Sequence, residues 1–193
     1  MIALDLAVAA SAVMWAPGKA LPAALGLGWA LALLAVIDVK ALRLPDAITL
    51  PLVAIGLAAG PWTLGTPILD HAIGAAGGYA VLALAAWVFA RLRGREGLGL
   101  GDAKLLAAAG AWLGWRALPM VVLIAAGGGL AWAGLLVLRK GKGALNEPIP
   151  FGLPLCAAIW LLWLQAAHAI SPAGSGGFPQ PMLALVSLGA WPY

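Results

Sequence analysis

The chain has 193 residues, 64% hydrophobic and only 9% charged, with a net charge of +4 and a mean hydropathy of +1.01. A soluble domain carries roughly 25% charged residues, so this composition excludes a water-coated globule and fits segments that face lipid. The single cysteine, Cys156, excludes an internal disulfide and a cysteine-built zinc site.

The first apolar run, Ile2–Ala16, lacks a basic flank and carries Asp5. It therefore reads as a retained span rather than a cleaved signal peptide. Six more runs follow: Ala20–Ile37, Ile48–Leu64, Ile68–Ala90, Ala103–Trp115, Ala117–Leu138 and Ile149–Ile170. They predict an all-α, polytopic transmembrane helix bundle of six to seven spans, forming one membrane domain over residues 1–193. The first and fifth runs are short against the roughly 20 helical residues a bilayer requires. Such runs are either tilted into thin parts of the bundle or extended at their ends into the loops. Residues 171–193 carry no charge and open on a Ser/Gly/Pro-rich stretch. The apolar piece Met182–Trp191 within them reads as interfacial or re-entrant.

Charge sets an orientation. Lys40, Arg43, Arg91, Arg93, Arg95, Lys104, Arg139, Lys140 and Lys142 fall in or beside three loops separated by pairs of spans, against Lys19 and Arg116 on the other side. By the positive-inside rule the three basic loops and the N-terminus are cytoplasmic, and the tail 171–193 is extracytoplasmic. The site of action is then the cell (inner) membrane, and the partner that the composition implies is the lipid bilayer. The net positive charge is accounted for by topology, so no nucleic-acid partner is expected.

Three glycine pairs, Gly56/Gly60, Gly74/Gly78 and Gly110/Gly114, each place two small residues four apart, as close helix packing in lipid favours. His71 and His168 stand far apart in apolar runs and read as packing residues. No metal site and no cofactor are expected.

Acidic residues are few: Asp5, Asp38, Asp46, Asp70, Glu96, Asp102 and Glu147. Asp38 ends the second run and Asp102 opens the fifth, so both fall at the cytoplasmic membrane boundary on different helices. Two carboxylates held close cannot both ionise cheaply and tend to share one proton. One can then act as general base on a water while the other hydrogen-bonds a scissile carbonyl. Read without function, Asp102 is a helix cap complementing the dipole, and Asp38 is a solvated residue beside Lys40.

The segment Gly99-Leu100-Gly101-Asp102-Ala103-Lys104-Leu105-Leu106 resembles the GxGD-x-K-L segment of type IV prepilin leader peptidases. Residues Asp38 to Pro51, with Leu44-Pro45-Asp46-Ala47-Ile48-Thr49, resemble that family's other aspartate segment. Asp70 to Tyr79, with Gly74 and Gly78, is similar to its intervening helix, and Glu147-Pro148-Ile149-Pro150-Phe151-Gly152 to its late I-P-F-G segment. Four segments in the family's order, over about Ile37 to Leu155, carry the resemblance.

It implies a GxGD-type aspartyl protease with Asp38 and Asp102 as the catalytic pair, cutting prepilins or pseudopilins after a short basic leader at the cytoplasmic face. Partners of that kind belong to a pilus or secretion assembly apparatus. Around the pair, the matching motif positions Gly99, Gly101, Lys104, Asp46, Glu147, Pro150, Phe151 and Gly152 are candidates for substrate binding. The stretch Gly97-Leu98-Gly99-Leu100-Gly101 is expected as a flexible loop at the rim of the cleft, where glycine allows another backbone to approach. Many bacterial members carry an insert with paired CxxC motifs between the first two spans and also methylate the new N-terminus. Here only Ala16–Lys19 separates those runs, so the chain resembles the minimal form found with tight-adherence pili and in archaea, and methyl transfer is not expected.

Other GxGD proteases, the presenilin and signal-peptide-peptidase group, place a Tyr before the first aspartate, where Ile37 stands here. A proton-coupled transporter using intramembrane carboxylates is the alternative from another class. A structural subunit of a pilus or secretion apparatus, with the aspartates as caps, is a third.

Overall fold

A computed structural model describes residues 2–16, 18–93, 99–140 and 150–170. Among the described residues seven α-helices follow in chain order: α1 (Ile2–Trp15), α2 (Leu21–Ala41), α3 (Asp46–Leu64), α4 (Ile68–Arg93), α5 (Leu100–Leu113), α6 (Leu118–Lys140) and α7 (Gly152–Ile170). Short 3-10 turns at Gly18–Ala20 and Trp115–Ala117 lead into α2 and α6. Among the described residues there is no strand. Five helices, α2, α3, α4, α6 and α7, are long and apolar enough to cross a bilayer. With α1 and α5 they make an all-α polytopic bundle, and the chain is an integral membrane protein.

The bundle is organised around α5. Its most extensive neighbours are α4 and α3, with α7 across from them and α6 at the margin. Ala103 and every residue from Leu105 to Trp112 are buried, so this helix has no lipid face. A helix apolar and buried all round belongs to an interior. That explains its length. At 14 residues it rises roughly 21 Å, even though its N-terminal end reaches three residues ahead of its apolar run, to Leu100. It need not match the bilayer, because other helices surround it. α1 is also 14 residues, but it packs on the outside of α2 and α7.

Small residues allow this enclosure. A Cβ on Gly110 would overlap the Gly74 carbonyl, and one on Gly78 would sit 2.6 Å from the Leu106 carbonyl oxygen, so α4 and α5 touch backbone to backbone. On the opposite flank, Gly56 and Gly60 of α3 leave room for Trp112 and Ala111. The first two glycine pairs therefore do form packing faces. The third divides: Gly110 packs, whereas Gly114 ends α5 with φ of 81°, a conformation for which glycine is suited.

Hydropathy placed the helix ends imperfectly. α2 runs on to Ala41, α4 to Arg93 and α6 to Lys140, each beyond its apolar run. Basic residues in a last turn complement the helix dipole and need not end the helix. α2 stops at Leu42, which adopts a left-handed φ of 52° and donates its N–H to the Asp38 carbonyl at 2.8 Å. α3 then begins after the extended Pro45.

Candidate active site

Because α2 continues to Ala41, Asp38 lies within its last turn rather than at its end. Asp38 is 5% exposed, so it is not a solvated residue beside Lys40. It faces the start of α7. The Leu153 N–H donates to Asp38 Oδ2 at 3.0 Å. Here the first turn of a helix, where N–H groups lack intrahelical partners, meets a carboxylate. The approach is close enough that a Cβ on Gly152 would lie 2.7 Å from Asp38 Cγ and 2.8 Å from Oδ2.

Asp102 is the third residue of α5. The cap position belongs to Gly99, which is extended (φ −71°, ψ 132°) and makes no side-chain capping bond. The Asp102 backbone N–H bonds to the Gly99 carbonyl at 3.1 Å, so the residue sits in the first turn of α5 and is not its N-cap. Asp102 is half-buried, ahead of the apolar stretch of α5 and outside the five spanning helices. Burial, and after it the negative charge of Asp38, pushes the Asp102 carboxyl up to about 6. The two aspartates, 64 positions apart in sequence, are thus within electrostatic reach of one another.

The remaining candidates distribute around this pair. Lys104 Nζ and Asp46 Oδ1 form an ion pair at 2.6 Å, tying the first turns of α5 and α3 together. These residues engage each other rather than standing as independent open contacts. Gly101 is already inside α5 and packs on Leu44, whose Cβ would lie 3.0 Å from a Cβ at that position. The expected loop therefore ends at Gly99, which is exposed, with Asp102 Oδ2 3.8 Å from where its Cβ would lie; Gly97 and Leu98 lie outside the described residues. Pro150 and Phe151 are partly buried just ahead of α7, and Phe151 packs against the core near Gly129. Glu147 lies outside the described residues.

A cavity of about 360 Å³ runs beside the site between α2 and α7, with Leu31, Ala35, Val39, Lys40, Leu153 and Trp160 among its walls. The histidines are elsewhere. His71 is fully buried at the other end of α5, with Nδ1 2.8 Å from the Ala111 carbonyl and Nε2 2.6 Å from Thr66 Oγ1. His168 packs its ring 5.1 Å from that of Trp15. Among the described residues, no three His, Cys, Asp or Glu side chains are grouped to hold a metal ion. One participant had no readable signal in the sequence, the Leu153 N–H, which is a backbone group; Leu44 stood in a motif, but its neighbour Gly101 is 57 positions away.

The type IV leader peptidase family matches residues 25–134, from within α2 to within α6 and including both aspartates. The chain belongs to that family. It is 48% identical over 153 residues to a "Prepilin leader peptidase/N-methyltransferase" of Burkholderia pseudomallei, covering 79% of this chain and 49% of that protein. Proteins of the same name from Aeromonas salmonicida and Aeromonas hydrophila are 47% and 46% identical, over 76% and 80% of this chain and 51% and 53% of theirs. The chain thus spans about half the length of the relatives it matches. No solved structure matches it.

Proposed function

We propose that this protein is an aspartyl endopeptidase that cleaves the short basic leader from prepilins or pseudopilins at the cytoplasmic face of the cell membrane, in support of pilus assembly or type II secretion. The observation that carries the reading is that two acids from different helices lie at one end of the bundle: Asp38, buried against the start of α7, and Asp102, next to Gly101, which packs on Leu44 in the connection just after α2. The relatives' names support the substrate class. The distribution of basic residues supports the cytoplasmic orientation.

The two acids have different surroundings, and this divides the work between them. The Leu153 N–H holds Asp38 Oδ2 in place, which positions that carboxyl to take a proton from water. Asp102 is pushed up to about 6, which favours its holding the shared proton. Asp38 then takes a proton from water as the resulting hydroxide equivalent attacks the scissile carbonyl. Asp102 donates a hydrogen bond to the developing oxyanion. When the tetrahedral intermediate collapses, the C–N bond breaks and a proton passes from the pair to the departing amine. The pair titrates as a unit, so roles are those of one microstate.

Asp38→Asn and Asp102→Asn, each inserted in membranes at wild-type level, are expected to leave leader cleavage at background. Substantial cleavage by either variant would contradict the assignment. Activity is expected to survive chelators, and S-adenosylmethionine is expected to yield no methylated product from this chain.

A further inference from the structure

We propose that Gly152 is a positioning residue for Asp38: its missing side chain lets the first turn of α7 close on the carboxylate and hold it toward Asp102. The proposal rests on the dyad reading above but adds an element from outside the two aspartate segments. Three observations carry it. A Cβ at position 152 would collide with the whole carboxylate, at 2.7 Å from Cγ, 2.8 Å from Oδ2 and 3.1 Å from Oδ1. Real Cβ atoms essentially never come within 3.0 Å of another group, so one of the two must move. The neighbouring Leu153 N–H reaches Oδ2 at 3.0 Å, a distance normal for an N–H···O bond, and displacement of either partner would lengthen it. Asp38 is 5% exposed, so its carboxyl has little room in which to find another rotamer.

The requirement is not backbone strain. Gly152 is not among the positive-φ glycines, which are Gly18, Gly65 and Gly114, and an L-residue fits its conformation. What alanine lacks there is space, and Asp38 occupies that space. Gly28 makes a useful contrast, since it is equally tight but meets only Val8 and Trp160 side chains. Its tightness belongs to helix packing alone.

The test is a set of variants in the full chain, read for both turnover and thermal midpoint in the same detergent. Gly152→Ala is expected to reduce kcat about 10- to 100-fold, the scale of an ångström-sized misplacement, while KM stays within about twofold. Gly28→Ala is expected to lower the midpoint while kcat per folded molecule remains near wild type. The decisive arm measures no activity. In an Asp38→Ala background the obstacle is gone, so Gly152→Ala should lose the destabilisation it causes when Asp38 is present. If Gly152→Ala fails to fold alone yet folds with Asp38→Ala, that suppression supports the proposal equally. Wild-type kcat in Gly152→Ala would overturn it. So would an equal drop in midpoint in both backgrounds, or failure to fold in both, since the glycine would then answer to packing unconnected with Asp38. Cleavage by Asp38→Asn would instead remove the dyad reading and leave the stability cycle to judge the contact.

Discussion

The two ends of α5 contain similar polar materials and use them differently. At its C-terminal end the groups are paired off. His71 bridges the Ala111 carbonyl and Thr66, supplying a partner to one of the carbonyls that the last turn of a helix leaves without one. Trp115 donates to Asp70 at 3.2 Å, and Gly74 and Gly110 lock the backbones together. At the N-terminal end Asp38 has its donor from α7, but Asp102 is half-buried against a second acid and its pKa is raised. A helix anchored at one end can hold a costly pair of acids at the other. Carboxyl groups raised by burial and a neighbouring charge are candidates for functional sites.

Substitutions can break this comparison. The largest effect is expected from Gly110→Leu, which puts a branched side chain where α4 and α5 touch through their backbones. Loss of folded protein, measured as extractable monodisperse material, is the expected result, whereas a stable Gly110→Leu protein would show that the anchored end is looser than described. Next comes His71→Ala. It leaves a void and strips a partner from the Ala111 carbonyl, at a cost of about 2–4 kcal/mol. A lower thermal midpoint with unchanged turnover per folded molecule is the expected pattern.

A smaller effect concerns pH. The Asp102 carboxyl is raised to about 6 from an ordinary 3.8, so the folded state holds this proton more tightly than the unfolded state. Its contribution to stability is therefore complete below about 4 and declines as pH rises towards 6 and beyond. In a thermal-midpoint series, wild type should show this decline and Asp102→Asn a shallower one. Identical slopes would contradict the burial assigned to Asp102. The smallest effect is expected at Lys104→Ala. Its ion pair with Asp46 is exposed, at 25% and 57% for the two side chains, and such pairs contribute about 0–1 kcal/mol. A midpoint shift within a degree or two fits this, and adding salt should shrink it further.

Much of this was legible in the sequence, for identifiable reasons. Apolar runs mark all seven helices among the described residues, and the scarcity of acids singles out Asp38 and Asp102. The role of α5 was not legible, because hydropathy registers removal from water and does not distinguish lipid from protein interior. The clue lay in composition: Ala103 to Ala111 is mostly alanine, too small for a surface that fills lipid but suited to close neighbours on every side. Asp38 looked terminal because Lys40 interrupts hydropathy without interrupting the helix. Gly152 could be seen in its motif, but its partner is 114 positions earlier, and only the folded chain joins them. Lys104 and Asp46 were each visible as motif residues, and their pairing was hidden for the same reason.

The central claim is that the N-terminal end of α5 is held for chemistry and against stability, as functional sites often are. One paired measurement on Asp102→Asn tests it most directly: leader cleavage and thermal midpoint at neutral pH, on the same purified sample. Cleavage is expected to fall to background while the midpoint stays level or rises, because a neutral amide replaces a buried acid that repels its neighbour. An Asp102→Asn protein that still cleaves, or one that loses both activity and several degrees of stability, would contradict the claim and make Asp102 a structural residue.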